Sequence, residues 1–406
     1  MNQNPFKKNR KFHSLNRWWY VFLGIIIMLC LGTVYSYSVF RFPIEELFNI
    51  GSTQSGMPYM IALAFYAFFM FITGKYIDKY NPRSILLLGG FLVSIGWILS
   101  AYAPNIFVLT VTYGVISGAG VGIAYGVPMS VISRWFPEKK GLAVGMVLIG
   151  FGLSPLITAP LARNLIENYG IMNTFRILGI CFGIIISILS FPFRYPSESG
   201  QLSLKLTRNT NDNLSEMNTS SMIKSDSFKG LYINFMIGTT IGLMLIGLTS
   251  SVGTELIGLS PKFVATLMAL FAISNGIGRP IFGWITDKFS SNNAMYLSYC
   301  LIIFSAFLIL LAKEGTIILY SISFSIFWFN LGGWLAIAPT STLALFGIKD
   351  YSQNYGVVFT AYGIGAVIGV LSSGRLIDLF QDYRYVFYYV IILCLIGILT
   401  TSKLIK

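Results

Sequence analysis

One guanidinium stands inside an otherwise apolar run: the segment Ala272-Ile273-Ser274-Asn275-Gly276-Ile277-Gly278-Arg279-Pro280 carries Arg279 far from any chain end. Guanidinium stays charged and presents a planar fork that matches a carboxylate through two parallel hydrogen bonds. Asn275 precedes it by one helical turn, close enough to orient either the fork or its ligand. Of the 28 Lys and Arg residues, every one but Arg279 falls in a tail, a loop or a helix end, and no Asp or Glu lies in the apolar runs to neutralise it. If the run spans a bilayer, an uncompensated cation near its middle costs at least about 2.5–3.5 kcal/mol. Arg279 is therefore expected to face a watery cavity and to take its partner from an anionic solute. The alternative is an anchor that snorkels to lipid headgroups, a role Lys288 can already fill.

Aromatic residues can wall such a site and lend it hydroxyl donors. The candidates are Tyr35 and Tyr37, Tyr125, Trp328 and Trp334, and Phe359 and Tyr362. Aromatics make up 16% of the chain, so most of them pack or sit at interfaces. Tyr35, Tyr125 and Tyr362 stand out from that background. Other chemistry is poorly provided for. The one histidine, His13, lies in a polar N-terminal stretch, which leaves no histidine relay or triad within the apolar runs. Cys30, Cys181, Cys300 and Cys394 are scattered singly, without disulfide or metal-ligand spacing, and read as small core residues. No motif joins nucleophile, base and metal, so neither an enzyme nor a cofactor is expected.

The elements that must position these residues follow from composition. A chain that is 55% hydrophobic and 11% charged, with mean hydropathy +0.72, carries more apolar surface than a water-soluble fold hides. Its apolar runs are long enough to cross a hydrocarbon core of about 30 Å. They predict helices over 18–40, 56–74, 84–103, 106–131, 141–165, 171–193, 231–251, 262–283, 293–311, 315–340, 352–374 and 384–402. The expectation is an all-α integral membrane protein of twelve transmembrane helices in two six-helix halves, 18–193 and 231–402. Between them, 194–230 is rich in Ser, Asn and Thr and reads as a linker. Residues 1–17 and 403–406 are read as tails.

If the N-terminus is cytoplasmic, 20 basic residues gather on that side and 7 on the other, Arg41 among the latter. Both termini and the linker are therefore expected in the cytoplasm, with the chain in the plasma (inner) membrane. The net charge of +13 expresses this bias and gives no reason to expect nucleic acid as a partner. The expected partners are the lipid bilayer, a small carboxylate and a coupled proton or counter-anion; a monomer is expected.

Two loops echo one another: Gly74-Lys75-Tyr76-Ile77-Asp78-Lys79 closes the second helix of one half, and Gly283-Trp284-Ile285-Thr286-Asp287-Lys288 closes the second helix of the other. In this Gly-x-x-x-Asp-Lys pattern the glycine is expected to permit close helix approach, and the carboxylate to cap a helix or pair with loop cations. Further glycines, Gly118, Gly120 and Gly122, Gly141, Gly145, Gly150 and Gly152, and Gly363, Gly365 and Gly369, suit close packing between helices, with a few marking where the halves rock on each other.

Several stretches resemble the major facilitator superfamily, and within it the oxalate/formate antiporter family, which is related to monocarboxylate transporters. They are Asn16 to Tyr20, Gly118 to Gly126, Arg134 to Ala143, Asn275 to Pro280 and Asn354-Tyr355-Gly356. Gly74 to Arg83 looks like the superfamily's loop motif. The resemblance implies a central site between the halves, alternating access and small carboxylate substrates, with Arg279 binding the carboxylate and Tyr35 and Tyr125 donating hydroxyls. The chain departs from the pattern in three places. An oxalate exchanger of this family carries a second cation in helix eleven, three residues after a tryptophan, where this chain has Tyr362 and Phe359. Val34 replaces a glutamine, and Leu331 replaces a tryptophan before Gly332-Gly333. One arginine suits a monocarboxylate such as lactate, pyruvate or formate. An oxalate/formate-type dicarboxylate exchanger and a non-transporting carboxylate sensor are the alternatives.

Overall fold

The structure, a computed structural model, describes residues 6–77, 79–136, 140–196, 217–347 and 350–404. Nearly all of them are helical. Twelve helices among the described residues are long and apolar enough to cross a membrane. They are α1 (Arg17–Ser36), α2 (Ser52–Gly74), α3 (Pro82–Ser100), α4 (Ile106–Ile132), α5 (Ala143–Tyr169), α6 (Ile171–Ser190), α7 (Asp226–Leu256), α8 (Pro261–Phe289), α9 (Ser291–Leu310), α10 (Ile317–Phe346), α11 (Gln353–Phe380) and α12 (Arg384–Leu404). The first six form one half and the last six the other. Successive spans run in opposite directions, so both described chain ends lie at one end of the bundle, called here the terminal end.

Local chemistry sets the helix starts. Asn81 accepts the Arg83 N–H ahead of α3, with Pro82 at the first helical position. Ser225 and Ser260 cap α7 and α8 through the N–H groups of Phe228 and Phe263. The Ser225 cap starts α7 at Asp226, five residues before the expected boundary, and a short helix, Thr219–Lys224, precedes it with Asn218 as its cap. This part of the stretch read as linker is thus helical, and residues 197–216 lie outside the described ones. The stretch read as an N-terminal tail is likewise helical from Phe6.

Helices α8 and α10 touch backbone to backbone. A Cβ at Gly278 would strike the Phe329 carbonyl, and one at Gly332 the Asn275 carbonyl. This contact fixes the helix that carries Arg279 against its own half. The loop motif works differently from expectation. A Cβ at Gly74 would meet nothing within 4 Å, and one at Gly283 would meet only the Ala336 Cβ at 3.9 Å, so neither glycine is needed for close approach. Asp287 is exposed and forms no ion pair among the described residues. Asp78 lies outside them, as do Lys349 and residues 137–139. The loop cations lie over rings instead: Lys79 over Tyr76 at 5.6 Å, Arg83 over Phe191 at 3.7 Å and Lys288 over Trp284 at 4.8 Å. Gly145 also has open space around it. Of the cysteines, Cys30 and Cys394 are core residues as expected, whereas Cys181 and Cys300 are exposed on the outer faces of α6 and α9.

The two halves meet along a seam of unequal chemistry. From the centre to the end opposite the termini, hydrogen bonds cross it at Tyr35–Tyr362, Ser38–Met268, Arg41–Gly247, Tyr59–Leu243 and Thr53–Asp378. Toward the terminal end Arg279–Leu148 crosses it. Arg41 departs from the loop position expected for it. The chain turns through a 3-10 segment, Gly32–Ser36, into a helix over Ser38–Phe48 that keeps Arg41 within the protein at 3% exposure.

Candidate functional site

Arg279 lies in the seam on the terminal side of its centre, 5% exposed, with its guanidinium reaching into the opposite half. Nη1 donates to the Leu148 backbone carbonyl of α5 at 2.6 Å, and Nη2 donates to Asn275 Oδ1 at 3.4 Å. Asn275 is fixed in turn, because its amide nitrogen donates to the Trp328 carbonyl at 3.0 Å. That bond leaves its oxygen facing Arg279, so Asn275 orients the guanidinium. Nε is buried and has no hydrogen-bond partner. Among the described residues no carboxylate pairs with this cation. The chemistry is that of a charged donor fork held in place and incompletely satisfied, a state of high energy in a water-poor surrounding.

The edge that carries Nε and Nη2 faces Gly152 of α5. A Cβ there would lie 3.3 Å from both nitrogens and 2.6 Å from Asn275 Oδ1. Glycine thus lets α5 close over the fork, and separation of α5 from α8 would uncover it.

A cluster of rings from both halves adjoins the cation. The Tyr35 and Tyr362 hydroxyls bond each other across the seam at 2.9 Å. Phe359 stacks on Tyr362 with ring centroids 4.9 Å apart, and Tyr125 packs near it at 6.4 Å. The hydroxyls of Tyr35 and Tyr125 lie within electrostatic reach of Arg279. The structure therefore brings all six candidate binding residues together: Arg279, Asn275, Tyr35, Tyr125, Phe359 and Tyr362. Tyr37, Trp328 and Trp334 lie elsewhere. Tyr37 stacks with Tyr59 and donates to the Ser55 carbonyl. Trp328 donates to Thr249, and Trp334 packs on Tyr299.

Two members of the cluster escape sequence reasoning. Tyr66 of α2 touches the rings of Tyr125, Phe151, Phe359 and Tyr362 at 5.1–5.9 Å. Phe151 of α5 meets Tyr35 at 5.1 Å and Tyr125 at 5.2 Å, edge to face. A signal for Phe151 exists in its setting between Gly150 and Gly152, which leaves its ring the sole side chain of that triplet. Tyr66 has none, because nothing in the sequence of α2 separates it from the other aromatics nearby. With these groups nearly all buried, a solute reaches them only after the halves part.

Comparison with known proteins agrees with this architecture. The family model described as Major Facilitator Superfamily matches residues 21–348. The chain is 27% identical to the oxalate:formate antiporter of Oxalobacter formigenes over 87% of this chain and 83% of that one. It is 26% identical to monocarboxylate transporter 12 of Xenopus laevis, over 77% and 72% respectively. In fold it resembles a bacterial homolog of the human lysosomal transporter Spinster, solved in an inward-facing and occupied conformation. The TM-score is 0.73 at 15% identity, covering 99% of this chain and 97% of that one. With twelve apolar helices in two halves, a seam that crosses the bundle and a family match over most of its length, this chain belongs to the Major Facilitator Superfamily.

Proposed function

We propose that the protein carries small organic monoanions, monocarboxylates of the lactate, pyruvate or formate type, across the membrane by alternating exposure of the Arg279 site. The observation that carries this reading is a buried guanidinium with an unpaired Nε and, among the described residues, no carboxylate against it. A superfamily member for neutral or cationic solutes would more naturally place an acid there. In this reading Arg279 grips the carboxylate and Asn275 orients the grip. Tyr35, Tyr125 and Tyr362 offer hydroxyls, and Phe359 walls the apolar end of the solute. The relatives named for oxalate:formate exchange and monocarboxylate transport support the substrate class. Tyr362, a neutral residue beside the site, favours one negative charge over two. Both termini face the cytoplasm, the membrane is the plasma (inner) membrane, and the unit is a monomer.

The test is uptake of labelled lactate, pyruvate, formate, acetate and oxalate into proteoliposomes of purified protein, with and without a proton gradient. At least one monoacid should be taken up in preference to oxalate. Stimulation by the gradient would identify proton symport, and a requirement for internal carboxylate would identify exchange. Preference for oxalate over every monoacid would contradict the proposal.

A further inference from the structure

Arg41 is a second buried guanidinium, and its bonds divide unequally between the halves. Nε donates to Ser55 Oγ at 3.2 Å, and Nη2 donates to the Ser52 carbonyl at 2.6 Å and to Ser52 Oγ at 2.7 Å. Glu45, one turn along the same helix, lies 4.0 Å away and accepts from Ser55 Oγ. All these partners belong to its own half, and they solvate and neutralise the charge within it. Of its donors Nη1 alone bonds across, to the Gly247 carbonyl of α7 at 3.2 Å, and Glu255 of the same helix lies within electrostatic reach. Both glycines at the contact let the halves approach: a Cβ at Gly56 would lie 2.7 Å from Val370 Cγ1 of α11, and one at Gly247 would lie 3.0 Å from the Tyr59 ring. Tyr59 donates to the Leu243 carbonyl one turn away on α7, and Thr53 donates to Asp378 of α11. An arginine with a purely local structural role would need no donor in the other half.

We propose that Arg41 is the latch that shuts the seam at the end opposite the termini, released when Nη1 leaves the Gly247 carbonyl. Its design is that of a reversible clasp. Opening breaks one charge-assisted hydrogen bond, while the remaining donors stay on Ser52 and Ser55, so the cation is never stripped of partners. Water entering the opened mouth can replace the single lost acceptor. One such bond moves a two-state equilibrium by about tenfold or more.

The latch concerns the seam and not the solute, so its test needs no substrate. Spin labels at Glu46→Cys and Lys262→Cys, both exposed and on opposite halves at that end, report the separation by double electron–electron resonance. The exposed Cys181 and Cys300 are first replaced by Ala. The protein with Arg41 intact should show mainly the short separation. Arg41→Gln should raise the ratio of long to short about tenfold. Arg41→Met, which fills similar space but donates nothing, should shift it as far and covers the case in which the glutamine variant fails to fold. Ser52→Ala, which removes only a contact within one half, should leave the ratio near its starting value. An unchanged distribution in folded Arg41→Gln or Arg41→Met, or an equal shift in Ser52→Ala, would overturn the latch.

Discussion

Arg279 and Arg41 are both buried guanidiniums, and their surroundings assign them different work. Arg41 has every nitrogen satisfied, whereas Arg279 keeps Nε unpaired and holds Asn275 at only 3.4 Å, a contact that a carboxylate can displace. Arg279→Lys retains the charge but loses the planar fork. Uptake of the preferred monoacid should fall at least about tenfold, the worth of one charge-assisted bond, while size-exclusion chromatography still shows folded protein. Tyr362→Lys places a second cation beside the Tyr35 hydroxyl. Paired competition should show oxalate gaining and lactate losing, because a dianion at one arginine leaves a carboxylate desolvated and unpaired. Arg279 was legible in the sequence because it broke an apolar run without an acid to answer it. Arg41 was not, since Arg41, Pro43, Glu45 and Glu46 together read as a polar loop. Hydropathy registers how polar a segment is. It does not register that the segment folds into the seam, where Ser52, Ser55 and a carbonyl take the place of water.

At the scale of elements, the apolar runs gave all twelve spans, because crossing a bilayer imposes a length that composition reveals directly. Their ends were less legible. The span α8 continues to Phe289 through Asp287 and Lys288, since polar side chains at the membrane boundary do not stop a helix that already has its backbone bonds. The glycine pattern was legible as packing but not as to which glycines matter. Gly278→Ala should lower stability by about 1–3 kcal/mol, as overpacking does, because α8 and α10 already touch. Gly74→Ala should change it by less than about 0.5 kcal/mol. Apparent melting temperatures of the two variants in detergent measure the contrast. Gly152→Ala is different again. Its methyl group would press on Asn275 and the Arg279 fork, so transport should fall severely in protein whose melting temperature drops little by comparison with Gly278→Ala.

The whole molecule is two six-helix halves joined by a seam that, among the described residues, the bonds of Arg41, Tyr59 and Thr53 close at the end opposite the termini. The basic residues predict that this end faces outward. A cysteine at the exposed Ser220 should therefore escape an impermeant maleimide applied to intact cells and react once the cells are opened. Labelling in intact cells would reverse the orientation. If a solute carboxylate completes what Arg279 lacks, the deciding measurement is labelled lactate, pyruvate and formate uptake into proteoliposomes bearing Arg279→Ala beside those bearing the unaltered protein, at matched protein density. The unaltered protein should accumulate at least one of these acids, and the variant should show no uptake above protein-free vesicles. Near-normal uptake by Arg279→Ala would refute a carboxylate-binding role and return Arg279 to that of a membrane anchor.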